Sequence, residues 1–535
     1  MATPAFHAGA EHDIRVMIGV EQDDWLVARG RDASESIDSM LAKGTHELTV
    51  VFFIPDRETQ TAKLLLPPTG PSPEPAVFRF TVGDAGSAIQ ALISVVHRGR
   101  VLQTALLSGT AVDNPRKAPI EARITLRLQV VVPGLAELDH RQTFDAAIVA
   151  ATVPGTGSVA AGVVDGAKDT VYFKKPRIQA AAKKIRELLE DAVADPNVKP
   201  KLTSEAGGKL LWDLAQQGRL LYEEIGQRLE QELAGRDLAR LQVVQADAGA
   251  FIPIEFLYSL LTPANGAPLC VNWKAALKGK PCTAQHHKVD ALGHFEVVCP
   301  SGFWGVSKVI ERQLLKDTAA EDLDPSGFGV RAEPNAARPN LPPIHRALFA
   351  WSEILDNTVA GTSADLLKSL HDATGHAAHV ETWLKWAKVI DTRQPELLVL
   401  LSHTVDDALE IGPENTGDRA TLAQINSRYV KKLPQDAPIV FLLGCTTAVA
   451  DDALASFVGR LRDQGAALVV GTITPVLGER SAEVVKAVVA KLVEQKPQPM
   501  RFGELMRSAR CDLLLEGELT ALCATSFGDA SWFVA

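Results

Sequence analysis

The chain has 535 residues, 46% hydrophobic and 22% charged, enough apolar material for roughly two to four domains. Its 65 acidic and 55 basic residues give a net charge of −10, which argues against a general nucleic-acid binder, because phosphate contacts need clustered Lys and Arg. The opening M-A-T-P-A-F-H-A-G-A-E-H-D lacks the basic and apolar regions of a signal peptide, the apolar runs are too short to span a bilayer, and six Cys are too sparse for a disulfide scaffold. A cytoplasmic protein with reduced thiols is expected.

Residues 1–150 read as a β-rich module. His46 to Ile54, Val77 to Thr81, Ile120 to Val132 and Phe144 to Ala150 carry Val, Ile, Phe and Thr between turn residues, and Ser87 to Val96 reads as one short helix. No catalytic constellation is visible there, so recognition of a regulatory partner or plain packing is the expected role. Residues 151–237 read as a linker and helical connector. Gly155, Gly157 and Gly162 invite a phosphate-loop reading, but no Lys-Ser/Thr pair follows, so a loop is favoured. Ile178 to Val193 and Gly208 to Leu233 each place apolar residues on one helical stripe.

Leu238 to Val244 starts a further sheet, and Glu255 follows in F-I-P-I-E-F-L-Y, where a buried carboxylate would need partners. The excursion 269–305 then holds three of the six Cys and several His. Zn²⁺ takes four thiolate or imidazole ligands in a tetrahedron, and a small loop-rich segment gains most from such a clip. Cys270, Cys282, Cys299 and one of His286 or His287 could supply a structural zinc; the competing reading is free thiols and surface histidines, and the spacing departs from a paired C-x-x-C. Gly302 to Leu315 reads as a helix and Asp317 to Pro343, rich in Pro, as a surface loop. Arg346 to Trp351 is a strand, Ala364 to Thr374 a helix, Ala378 to Thr382 a short strand and Glu381 to Thr392 mostly helix. His371, His376 and His379 in this stretch read as surface or core residues rather than ligands.

Two stretches near the C-terminal third carry chemistry. Glu396 to Leu401 (E-L-L-V-L-L) is a buried-strand pattern followed at once by Ser402-His403-Thr404. Ile439 to Leu443 is another, followed by Gly444-Cys445. Val449, Leu454, Phe457, Val458 and Leu461 then recur at helical spacing, Gly465 stops the helix, and Ala466 to Val470 is a third strand. If the first two strands are neighbours, His403 and Cys445 emerge at one edge of a parallel sheet, where α/β proteins place their sites. A Cys with a His some tens of residues earlier is the caspase-type order.

The pair strand-Ser-His403 and strand-Gly-Cys445, followed by a helix and R-L-R-D-Q-G-A-A-L-V-V-G-T, resembles the CHAT family of caspase-like cysteine proteases. The P-I-E-F-L-Y segment and the terminal F-G-D-A-S-W-F-V are similar to segments of that family, and the resemblance covers residues 238–535. It implies a caspase-like (caspase–hemoglobinase) three-layer α/β/α domain with a mainly parallel sheet, behind the small β-rich domain and the helical connector. It also implies a cysteine endopeptidase acting on a protein partner, in a bacterial signalling or defence system, without a catalytic cofactor and without nucleic-acid or membrane partners. Cys445 would be the nucleophile, at a helix start that lowers a thiol pKa from about 8.5. His403 would be the general acid–base, and the backbone N–H groups of Thr404 and Cys445 the oxyanion hole. Caspase-like proteins usually have Gly where Thr404 stands. Asp406, Asp407 and Glu410 could line an acidic substrate pocket or form a solvated loop. Thr446, Thr447 and residues 476–480 border the same region. The alternatives are a catalytically inactive caspase-like scaffold or binding protein, and a small-molecule thiol enzyme.

Overall fold

A computed structural model describes residues 5–18, 44–55, 57–68, 71–130, 138–139, 141–153, 157–164, 170–173, 175–194, 201–233, 235–245, 251–280, 282, 288–314, 340–353, 360–406, 408–413, 418–430, 437–444, 453–473, 476, 478–494 and 499–534. The Pro-rich stretch 317–343 and the helix start after residue 444 therefore fall largely outside the described residues.

A mixed α/β architecture is built on one large sheet. Across it the strands run Thr170–Phe173, Gly157–Val164, Ala146–Val153, Arg240–Gln245, Val309–Leu314, Ala524–Phe527, Leu468–Thr472, Ile439–Leu443, Leu397–Leu401, Arg346–Trp351 and His376–His379. Neighbours are parallel except where Gly157–Val164 pairs with both of its partners and where Ala524–Phe527 pairs with Leu468–Thr472. Strand Leu397–Leu401 shows why the centre must be parallel and doubly covered. Leu397, Val399 and Leu401 enter one apolar core with the helices Thr362–Thr374 and Gly478–Val493, while Leu398 and Leu400 enter another with Trp383–Arg393 and Ala453–Asp463. A strand buried on both faces needs an unbroken apolar run, which L-L-V-L-L supplies.

The N-terminal residues form two β-sheets, as their β-branched composition suggests. One is built around Arg100–Val112, Ala88–His97, His46–Phe53 and Gln60–Leu66; the other pairs Glu11–Val16 with Ala76–Thr81. They face each other through Phe52 stacked on Phe78, ring centroids 5.2 Å apart. The segment read as a helix from Ser87 is instead the strand Ala88–His97. Arg98 (φ 49°) and Gly99 (φ 70°) form a turn in the left-handed region, which folds the strand into a hairpin with Arg100–Val112. The glycine-rich stretch after Ala151 is likewise not a linker: Gly157–Val164 pairs along its length with Ala146–Val153. Gly162 lies so close to Leu229 and Phe173 that a Cβ would clash, so the small residues let the hairpin pack under the connector helices.

The predicted helix from Gly302 is a short 3₁₀ turn, one helical turn at Trp304–Ser307 and then the strand Val309–Leu314. Two charges on this strand are wholly buried and wholly paired. Glu311 accepts from Arg100 of the N-terminal module and, at 2.8 Å each, from Gln242 and the Ala530 backbone. Arg100 also meets Asp529 at 2.9 Å and Ser531 at 2.8 Å. Arg312 donates to Glu255 at 2.8 Å through Nε and again through its terminal nitrogen, and Thr525 donates to the same carboxylate at 2.7 Å. The partners that the buried Glu255 needs are thus an arginine on strand Val309–Leu314 and a hydroxyl on strand Ala524–Phe527.

Burial by itself would favour the neutral acid at Glu255, but Arg312, then Arg510 and Thr525, hold its carboxyl down to about 2. The carboxylate of Asp529 is held below its usual range by Arg100 and Arg141 against the same cost of burial. A depressed carboxyl stabilises the fold fully above its unfolded pKa, about 4.3 for Glu, and that contribution is lost as pH falls toward the folded value. Urea denaturation is therefore expected to show stability falling between about pH 5 and about pH 2. The variant Glu255→Gln should lose about 3–5 kcal/mol at neutral pH and show a flatter acid limb. An acid limb identical to wild type would contradict this assignment.

Candidate functional site at the carboxyl edge of the sheet

Strands Leu397–Leu401 and Ile439–Leu443 are adjacent and parallel, paired residue for residue from Leu397↔Ile439 to Leu401↔Leu443. The pairing continues one step further, where the Ser402 backbone N–H donates to the Leu443 carbonyl at 3.2 Å. His403 is thus the second residue past Leu401, and position 445 the second past Leu443. Gly444 is buried and described; Cys445, Thr446 and Thr447 lie outside the described residues. The Val476 backbone N–H donates to the Gly444 carbonyl at 3.3 Å, so the loop after Leu468–Thr472 borders the same edge.

On the other side, Ser352 extends strand Arg346–Trp351 by donating its N–H to the Leu401 carbonyl at 2.8 Å. Beyond it, His379 ends the last strand of the sheet and stacks on Trp351, ring centroids 4.2 Å apart and 16° from parallel. Burial holds the His379 ring below its usual pKa. The hydroxyls of Ser352, Ser402 and Thr472, all at strand ends on this edge, are buried with no hydrogen-bond partner among the described residues. Buried polar atoms without partners are costly, and here they gather on the rim that carries His403. Sequence reading missed Ser352, Thr472 and the Trp351–His379 pair, because lone hydroxyls and aromatics at strand ends carry no spacing signal.

His403 and Thr404 lie half-buried in the strand His403–Val405, which opens a three-stranded hairpin with Ala408–Ile411 and Asp418–Thr421. Asp406 turns the chain with φ of 48° and its side chain is exposed; Asp407 lies outside the described residues. Glu410 is buried, and Arg419 donates to it at 2.7 Å while also reaching Asp406 at 3.4 Å. Gly412 fixes the hairpin to the sheet. Its N–H donates to the Trp351 carbonyl at 2.7 Å and its carbonyl accepts from Glu353 at 2.9 Å.

The excursion brings together a second group. The sulfurs of Cys270, Cys282 and Cys299 all lie within 4.8 Å of one another, and those of Cys270 and Cys282 are 3.5 Å apart. Three thiolates on one Zn²⁺ would sit about 3.8 Å from each other, so the spacing fits a shared cation. Cys299 is buried, its N–H donating to the Tyr258 hydroxyl at 3.1 Å. Burial, then the neighbouring Cys299 and Cys270, push the Cys282 thiol up to about 12. Such crowding is the condition that a divalent cation reverses. His286 and His287 lie outside the described residues.

No protein-family model matches the chain, and no curated protein matches it. Solved structures similar to it include the complex of RgpB pro- and mature domains from Porphyromonas gingivalis, at 14% identity over 66% of this chain and 78% of that one, with a TM-score of 0.33. The Saccharomyces cerevisiae separase–securin complex is also similar, in one structure at 10% identity over 72% of this chain and 30% of that chain, TM-score 0.32. In a second structure of that complex the values are 11%, 66% and 22%, TM-score 0.28. The chain spans less than a third of the separase chain. Likenesses this distant assign no activity. No helix among the described residues is long and apolar enough to cross a membrane.

Gly412 offers a test of how the hairpin is held. Its φ is 86°, and an added Cβ would drive into the Glu381 carbonyl. Gly412→Ala should cost about 1–3 kcal/mol and speed amide exchange through the hairpin while leaving Leu397–Leu401 protected. Unchanged exchange in the hairpin would show that Gly412 does not anchor it.

Proposed function

We propose that the chain is a caspase-like cysteine endopeptidase in which His403 and Cys445 form the catalytic dyad. The observation that supports it is the in-register pairing of Leu397–Leu401 with Ile439–Leu443, which ends both strands, each two residues before its proposed catalytic residue in sequence, at one level of one edge. In this reading the Cys445 thiolate attacks the peptide carbonyl, and His403 protonates the departing amine. Backbone N–H groups of Thr404 and Cys445 receive the oxyanion, each donor worth about 10²–10³ in rate. The partner cleaved is a protein, and the N-terminal β-sheets serve recognition or restraint. Asp406, Asp407 and Glu410 are the acidic residues proposed for a substrate pocket; Arg419 donates to the buried Glu410 at 2.7 Å and also lies 3.4 Å from the exposed Asp406.

The test is labelling with a thiol-reactive acyl probe and reading the modified peptides. Cys445 should react ahead of the other five cysteines, and His403→Ala should abolish the preference. Labelling spread evenly over exposed thiols, unaffected by His403→Ala, contradicts the dyad and favours a scaffold.

A structural zinc held by Cys270, Cys282, Cys299 and His286 is part of the same proposal. The ion would clip the excursion and play no part in catalysis. Metal analysis of purified protein should find about one zinc per chain, and chelation or Cys270→Ser should lower the melting temperature. Protein free of zinc, with melting indifferent to chelator, contradicts it.

A further inference from the structure

Where the N-terminal sheets meet the large sheet, three side chains form a run of hydrogen bonds. His46, at the start of strand His46–Phe53, is joined through Nε2 to Asp139 at 2.9 Å and through Nδ1 to Nε2 of His97 at 3.1 Å. The two rings meet edge to face, centroids 4.9 Å apart and 88° from parallel. His97 ends strand Ala88–His97, the direct neighbour of His46–Phe53. Asp139 belongs to the segment that leads from the N-terminal sheets into strand Ala146–Val153 of the large sheet. At one end of that segment Leu138 is buried in the apolar cluster of Phe52 and Phe78; at the other, Phe144 is buried with Val309 and Ala530. Its backbone is also clamped to the turn beyond His97. The Phe144 N–H donates to the Arg98 carbonyl at 2.9 Å, and Arg98 donates to the Arg141 carbonyl at 3.2 Å.

The donor inventory assigns the tautomers. A carboxylate only accepts, so His46 Nε2 donates to Asp139; with one proton on each ring, His46 Nδ1 accepts from His97 Nε2. That leaves His97 Nδ1 as a lone pair, buried with no hydrogen-bond partner among the described residues. A proton there would place an N–H where nothing accepts it and a charge among cations. Arg98 and Arg100 stand on the same hairpin, Arg100 directly opposite His97, and Arg141 approaches from the segment. Glu311 and Asp529 on the far side are held by Arg100, and Asp529 by Arg141 as well. His140 lies outside the described residues. Burial, then His46 and these three arginines, hold His97 down to about 3.

We propose that the Asp139–His46–His97 run is an acid-released latch that fastens the segment bearing Asp139, and through it the N-terminal sheets, to the large sheet. The closed latch excludes a proton that the opened one binds at the ordinary histidine value, about 6.5. A group depressed in the closed state stabilises that state fully above the open-state value, and the contribution fades as pH falls from about 6.5 toward about 3. Between about pH 7 and about pH 5 the opening equilibrium should therefore rise about 20-fold. The buried carboxylates of Glu255 and Asp529 act below this window, and the latch stands or falls independently of the dyad.

Amide exchange read by mass spectrometry on the full chain tests it. From about pH 7 to about pH 5, corrected for the intrinsic pH dependence of exchange, protection of segment 139–145 and of strand His46–Phe53 should fall about 20-fold, while Leu397–Leu401 stays protected. His97→Gln keeps a donor toward His46 but takes no proton. Its protection should match wild type at about pH 7 and change less than about threefold on acidification. An equal fall in His97→Gln, or no fall in wild type, would overturn the inference. Should that variant not fold, wild type decides alone, through exchange of the imidazole C2 hydrogen in the tryptic peptide Phe80 to Arg98, which carries no other histidine. His97 should then show no titration midpoint between about pH 5 and about pH 8, and a midpoint near about 6.5 would overturn the latch.

Discussion

The register between Leu397–Leu401 and Ile439–Leu443 is the constraint from which the candidate site follows. Two parallel strands, each buried on both faces, cannot slip by one residue without turning every side chain into the wrong core. Because the register is fixed, so is the level at which each chain leaves the sheet. Ser402 then continues the ladder by one bond to the Leu443 carbonyl, and His403 follows at the point where pairing to the sheet gives way to the hairpin.

That arrangement depends in turn on two buried charge clusters at the middle of the sheet. Arg312 and Glu255 tie the strand Val309–Leu314 to the segment that leads into the excursion, and Thr525 ties the same carboxylate to Ala524–Phe527. Arg100, Glu311 and Asp529 do the equivalent for the N-terminal sheets. Removing one member of such a cluster leaves an uncompensated charge in a dry interior. The N-terminal β-sheets are therefore joined to the large sheet through its core: Ala147, Val149 and Val244 of the large sheet share the apolar cluster of Phe52 and Phe78.

The parts of this molecule that the sequence made legible are those where pattern and burial agree. L-L-V-L-L and I-V-F-L-L are unbroken apolar runs, and both are central strands; the stripe of Leu210, Leu211 and Leu214 is a buried helix face. The cysteine cluster was legible from local enrichment, and three of its proposed ligands do converge. The failures share a cause in tertiary partners. Val309–Leu314 contains Glu311 and Arg312, which break an apolar pattern until Arg100 and Glu255, distant in sequence, are known to neutralise them. Ala88–His97 was misread because a strand with apolar residues on both faces mimics helical spacing, and only the Arg98-Gly99 turn reveals the hairpin. The glycines after Ala151 looked like loop residues because the side chains that require them, Leu229 and Phe173, come from elsewhere. At the site, the cross-strand pairing of His403 with Glu410 and of Glu410 with Arg419 was invisible because such neighbours are set by a turn.

The central claim is that two neighbouring strands present the His403 ring and the Cys445 sulfur within bridging distance. A short bifunctional alkylator, 1,3-dibromoacetone, measures this directly in the folded protein. The account predicts one crosslinked species joining the peptide that carries His403 to the peptide that carries Cys445, formed at equimolar reagent and absent after unfolding in urea. Alkylation of Cys445 with the second arm never reaching His403, or bridging of either residue to some third site instead, would contradict it.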